Sequence, residues 1–135
     1  MAGVAVTVRH RKGLQAEASA RTHRILIDRP IDLGGEDAGM TLGELFLSSL
    51  GTCTLLTVLA FCKSNGIPID GGEVHVEAEM AEHPKRIGVI RQRLVLQGPL
   101  DTALSERLLR VAKGCAIHNT LEHRPELRLE IQRAE

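Results

Sequence analysis

The residues best equipped for covalent chemistry are three cysteines, Cys53, Cys62 and Cys115. A thiolate is both nucleophile and reductant, so the chemistry on offer is thiol redox: one sulfur attacks, a second resolves. Cys53 lies inside a long apolar segment, where a free cysteine is often no more than a small core residue. Cys62 follows nine positions later. On a helix that is two and a half turns, placing it on the opposite face about 13.5 Å along the axis. A disulfide needs Cα atoms within about 7 Å, so Cys53 and Cys62 cannot pair within one helix. Cys62 is expected to be structural. Cys115 follows Gly114 and opens a new helical turn, where free N–H groups and the helix dipole favour a thiolate. If it approaches Cys53, the pair closes a loop spanning 62 residues.

The element that must position Cys53 has clear ends. Thr41 and Glu44 have capping-box spacing, with Met40 and Leu45 placed as a hydrophobic staple. Asn65-Gly66 followed by Pro68 is a stop signal. The spacing predicts a helix over 42–65, about 36 Å long. Leu42, Leu45, Phe46, Ser49, Leu50, Cys53, Leu56, Thr57 and Ala60 follow helical periodicity. Leu47, Leu55, Val58, Leu59 and Phe61 lie off that stripe, so the helix is apolar almost all round. Such a helix is a membrane span or a buried core element. Its Ser and Thr residues, Gly51 and Glu44 favour the core reading. One subunit this small can hardly cover every side, so a second subunit is expected, with Ser48, Ser49, Gly51 and Thr52 permitting close helix contact.

Around this helix the pattern is mostly strand. Residues 4–8 and 14–20 alternate about a turn at Arg9-His10-Arg11-Lys12-Gly13, and a short strand follows at Ile25-Leu26-Ile27. Gly34-Gly35 and Gly39 mark a loop. Glu73–Met80 and Val89–Leu96 read as an antiparallel hairpin whose polar faces oppose Glu73, Glu77 and Glu79 to Arg91 and Arg93. Asp101 or Thr102 caps a helix with Leu104, Leu108, Val111 and Ala112 inward. Leu127, Leu129 and Ile131 predict a last strand. The order is β-β-β-α-β-β-α-α-β, an α+β class with mostly antiparallel sheet.

Composition narrows the function classes. The 135 residues carry 17 basic and 17 acidic side chains, which speaks against a nucleic-acid surface. Two Phe, no Tyr and no Trp leave little with which to stack bases or sugars. Three cysteines are too few, and odd, for a disulfide-stapled secreted scaffold. The first residues lack the apolar core of a signal peptide. A single domain over 1–135, in the cytoplasm and away from membranes, is the expectation.

At this point the residues carry a resemblance. Gly34-Gly35-Glu-Asp-Ala-Gly-Met-Thr-Leu-Gly-Glu-Leu-Phe-Leu-Ser-Ser-Leu-Gly-Thr-Cys53 resembles the glycine-rich loop and cysteine helix of the OsmC/Ohr family, the osmotically inducible and organic hydroperoxide resistance proteins. Gly114-Cys115-Ala-Ile-His-Asn-Thr-Leu121 is similar to its second cysteine motif, with Ala116 where the family usually has Pro. The match in element order runs from about residue 4 to 132, nearest a less characterised branch.

The resemblance implies an intertwined homodimer with two long central helices and thiol-dependent reduction of organic hydroperoxides. Cys53 would be the peroxidatic thiol, Cys115 the resolving one, and an external dithiol, lipoylated or thioredoxin-like, would restore both. No cofactor is implied. Lowering a thiol from about 8.5 to about 6.5 requires roughly 2.7 kcal/mol of preferential anion stabilisation. The family supplies it through an Arg from an early β-turn, held by a Glu near the start of the cysteine helix. Arg11 is the best positional match for the Arg, with Arg24 second. Glu44 stands nine positions before Cys53, whereas the best-described peroxidase branch has its Glu ten before, where Gly43 stands here. Glu44 is thus a candidate for the site and also a candidate helix cap. Two further readings are open: a non-catalytic dimeric redox-sensing or small-molecule-binding protein on the same scaffold, and a metal site around Cys115, His118 and His123. The last lacks the paired ligand spacing of zinc sites, so no metal is expected.

Overall fold

The computed structural model describes residues 3–135. The chain divides into two compact units, Met1–Ser49 and Leu50–Glu135. In the first, β1 (Thr7–His10), β2 (Ala16–Ala20) and β3 (His23–Ile27) form an antiparallel sheet in that order. The β1–β2 turn closes through the Gln15 N–H donating to the Lys12 carbonyl at 2.9 Å. After β3 the chain makes one 3-10 turn, Ile31–Leu33, and a glycine-rich loop.

That loop is tied to one buried carboxylate. Asp28 accepts hydrogen bonds from the N–H groups of Arg29 (2.7 Å), Glu36 (3.2 Å) and Ala38 (3.1 Å), and from the Gln15 amide at 3.0 Å. Burial opposes its ionisation, but these four donors overcome that and hold the carboxyl below its ordinary range. The glycines follow from the tight path. A Cβ at Gly35 would collide with the Arg29 carbonyl, and one at Gly39 with the Leu26 carbonyl.

Helix α1 (Leu42–Ser64) begins here with the predicted capping box: Thr41 Oγ1 accepts from the Glu44 N–H at 3.2 Å, and Glu44 Oε1 accepts from the Thr41 N–H at 2.9 Å. It continues into the second unit, where β4 (Gly71–Ala81) pairs antiparallel with β5 (Arg86–Gln97). Then come α2 (Thr102–Ala112) and α3 (Ala116–Glu122). Asp101 caps α2 by accepting from the Leu104 N–H at 2.7 Å. The core of this unit joins Val58, Cys62, Ile69, Leu108 and Ala112. On the hairpin, Glu77 lies opposite Arg91, and Arg91 pairs with Glu79.

Three expectations change. The buried stripe of α1 is Leu50, Gly51, Thr54, Val58 and Cys62, rather than the one through Leu42, Phe46 and Leu56, which are exposed. Because the helix is apolar all round, its periodicity could not choose the buried face. Gly51 faces Val74 and Val76 of β4, so this small residue serves strand contact within the unit, and Ser48 turns its hydroxyl back to the Glu44 carbonyl at 2.7 Å. The strand expected at Leu127, Leu129 and Ile131 is not formed; these side chains are 89–95% exposed. Alternation gives a strand its faces, but no strand among the described residues supplies the ladder here.

Candidate active site

Within the second unit, the fourth turn of α1 brings Cys53 to the start of α3, where Cys115 is the N-cap. Both are free thiols, Cys53 half-buried and Cys115 buried, and they lie close enough for each to shift the other's ionisation. Cys62, in the core cluster, stands apart, its thiol pushed up by burial with slight relief from Arg107.

The two facing sulfurs are driven in opposite directions. Burial raises the Cys53 thiol, but four donors to its anion outweigh it: the Cys115 S–H, the Ile117 N–H, the Thr57 hydroxyl and the Ala116 N–H. The Cys53 thiol is held below its ordinary value. Cys115 is raised, first by burial and then by its role as donor to Cys53; the His118 N–H and the Thr54 hydroxyl offset this only in part. The pair is thus arranged for Cys53 to ionise first while Cys115 keeps its proton. The four groups named here are all neutral.

The candidates Arg11, Arg24 and Glu44 belong to the first unit. Arg11 lies in the β1–β2 turn, exposed, with its backbone N–H on the Gln15 carbonyl at 3.0 Å. Arg24 pairs with Glu17 at 3.6 Å. Glu44 spends one carboxylate oxygen on the helix cap. Of the histidines, His118 bonds Glu122 at 2.7 Å and His123 bonds the Asn119 carbonyl at 3.1 Å, each one turn along the same segment.

Several contributors had weak or no sequence signals. Thr57 is four residues beyond Cys53, hence on the same helix face, and was legible as such. The amides of Ala116 and Ile117 have no side-chain signature. Gln92 was legible differently: it occupies an inward position of β5 in line with Ile90, Leu94 and Leu96, a polar residue at an apolar place.

The family model described as OsmC-like protein matches residues 34–130. Among solved structures, a Psychrobacter arcticus 273-4 protein named for osmotic-stress induction and a detoxification response is 20% identical with a TM-score of 0.80, covering 89% of each chain. An OsmC-like protein from Mycoplasma pneumoniae is 19% identical with a TM-score of 0.78, over 90% of this chain and 88% of that one. The organic hydroperoxide resistance protein OhrB of Bacillus subtilis is 19% identical with a TM-score of 0.62, over 90% and 92%. No curated protein sequence matches this chain. The shared α+β fold and the match over both cysteine segments lead to one conclusion: the chain belongs to the OsmC-like protein family.

Proposed function

We propose that this protein is a thiol-dependent peroxidase that reduces organic hydroperoxides with Cys53 and Cys115. The observation that carries the reading is the facing pair of thiols with opposed ionisation. The Cys53 thiolate attacks the terminal oxygen of R–O–O–H. The O–O bond breaks, Cys53 becomes a sulfenic acid, and the alkoxide takes a proton to leave as the alcohol. The Cys115 sulfur, giving up its proton, then attacks the sulfenic sulfur; the hydroxyl departs with that proton as water, and a disulfide forms. An external dithiol, lipoylated or thioredoxin-like, returns both thiols by two exchanges and is itself oxidised to a disulfide. The name of the Bacillus subtilis relative supports this substrate class.

The same reading includes a cytoplasmic homodimer, in which Arg11 and Glu44 complete the site, with no membrane or nucleic-acid partner. Its support is the uncovered apolar surface: Leu56 of α1 and the alternating Leu127, Leu129 and Ile131 are all exposed in the single chain. Helix α1 is long and apolar enough to cross a membrane, but its Leu50–Cys62 stripe is buried in the second unit. The test is consumption of cumene hydroperoxide with a dithiol donor. Turnover is expected from the native protein and none from Cys53→Ser, whereas Cys115→Ser oxidises once and stalls.

Two observations favour a second reading, a non-catalytic redox-sensing dimer. The Cys53 donors are all neutral, and Glu44 is engaged in the helix cap. Stoichiometric oxidation of Cys53 without turnover under any dithiol would select it.

A further inference from the structure

We infer that α3 is the redox-sensitive element of this protein: joining Cys53 to Cys115 strips the acceptors from its first turn, α3 frays, and the disulfide opens to the dithiol that reduces it. The inference rests on the disulfide of the peroxidase reading and gives that reading the access route it needs.

The need comes from burial. In thiol–disulfide exchange the more acidic thiol is the better leaving group. Cys53 is held low and Cys115 is raised. The incoming thiolate therefore attacks Cys115 Sγ, the S–S bond breaks, and Cys53 departs as the thiolate. Cys115, however, is 1% exposed. A part of the fold must move to uncover it.

Of the three helices, α3 is the least anchored. Helix α1 buries Leu50, Thr54, Val58 and Cys62, and α2 buries Leu108 and Ala112, whereas α3 buries no side chain. Its seven residues are too few for a helix to hold by itself in water. Its order leans instead on acceptors for its first backbone N–H groups. The His118 N–H has Cys115 Sγ at 3.3 Å. Those of Ala116 and Ile117 favour the Cys53 anion. A disulfide changes both: Cys53 loses its charge, and Cys115 Sγ turns from the cap towards Cys53. Three donors then lack good acceptors at once. Beyond α3, residues 124–135 form no helix or strand that would hold it.

The test is hydrogen exchange, read by mass spectrometry on the full chain, reduced and after oxidation with diamide. This azo oxidant takes two electrons and two protons from the thiols and becomes a hydrazine, so no peroxide chemistry is involved. Peptides covering 116–122 should exchange about tenfold faster in the oxidised protein, with α1 and the β4–β5 hairpin unchanged. Ala116→Pro is the second arm. Cys115 has φ −66° and ψ 145°, the conformation a following proline requires, and proline at the first helical position pre-organises a helix without needing an acceptor. In this variant oxidised α3 should stay protected, and dithiothreitol should reduce the disulfide about fivefold more slowly. Equal or slower exchange of α3 after oxidation, or equal re-reduction of native and Ala116→Pro proteins, would overturn the inference. Fraying with diamide in a protein that turns over no hydroperoxide would sustain it and sink only the peroxidase reading.

Discussion

The backbone N–H of His118 donates to the Sγ of Cys115 at 3.3 Å, so this sulfur is the N-cap of α3. The same sulfur lies close enough to Cys53 to favour its ionisation. One thiol thus closes the helix whose first amides, those of Ala116 and Ile117, also serve the Cys53 anion.

The first prediction follows from that double role. Iodoacetamide labelling of Cys53 should show a midpoint below that of an ordinary thiol, since its folded pKa is depressed. Cys115→Ala removes the S–H donor and the cap together. The midpoint should rise, and loss of the cap should cost about 1 kcal/mol of stability. Cys115→Ser keeps a donor and an acceptor, so its midpoint should move less. Peptide-resolved labelling against pH checks both.

Gly51 sets a second prediction. A Cβ there would lie 2.9 Å from Val76 Cγ2 and 3.2 Å from Val74 Cγ1. Ala in place of Gly gains about 1 kcal/mol of helix propensity, while overpacking costs about 1–3 kcal/mol. The clash is therefore expected to win, with Gly51→Ala destabilised by about 1 kcal/mol and Gly51→Leu by more. Urea unfolding midpoints measure it.

Asp28 gives the pH prediction. Its folded pKa is depressed, so the stability it contributes is fully present above the unfolded value of about 3.9 and is lost as pH falls through the lower folded value. Native protein should lose stability below about pH 4, and Asp28→Asn should lose much of that acid limb. Thermal melts from neutral pH downwards, run on both proteins, decide it.

Assembly is the fourth. Leu127, Leu129 and Ile131 are 89–95% exposed, with nothing among the described residues over them. Sedimentation should give twice the 14.7 kDa chain mass. Replacing all three with Lys should shift the equilibrium towards the single chain.

Much of the fold was legible because its ends are written in side chains. Thr41, Glu44, Asn65-Gly66 and Asp101 are local signals, and the structure starts and stops α1 and starts α2 where they stand. Cys115 was legible as a helix start because Gly114 ends the preceding segment. The face of α1 was not legible, since an all-apolar helix has no preferred side until the hairpin is placed against Gly51. The terminal strand was over-read, because alternation carries no information about a partner. Asp28 carried no local signal of its role; its burial depends on amides from Glu36 and Ala38, eight and ten positions on. The stabilisers of Cys53 were sought among arginines, whereas those found around it are two amides, a hydroxyl and a thiol.

The most direct measurement is peptide mass spectrometry of the protein after one equivalent of cumene hydroperoxide, with the dithiol withheld. A single intrachain disulfide between Cys53 and Cys115 should form, with Cys62 still alkylatable after unfolding, and Cys53→Ser should leave the peroxide intact. Peroxide consumed at the native rate by Cys53→Ser, or oxidation that joins Cys53 to any sulfur other than Cys115, would contradict the two-thiol account.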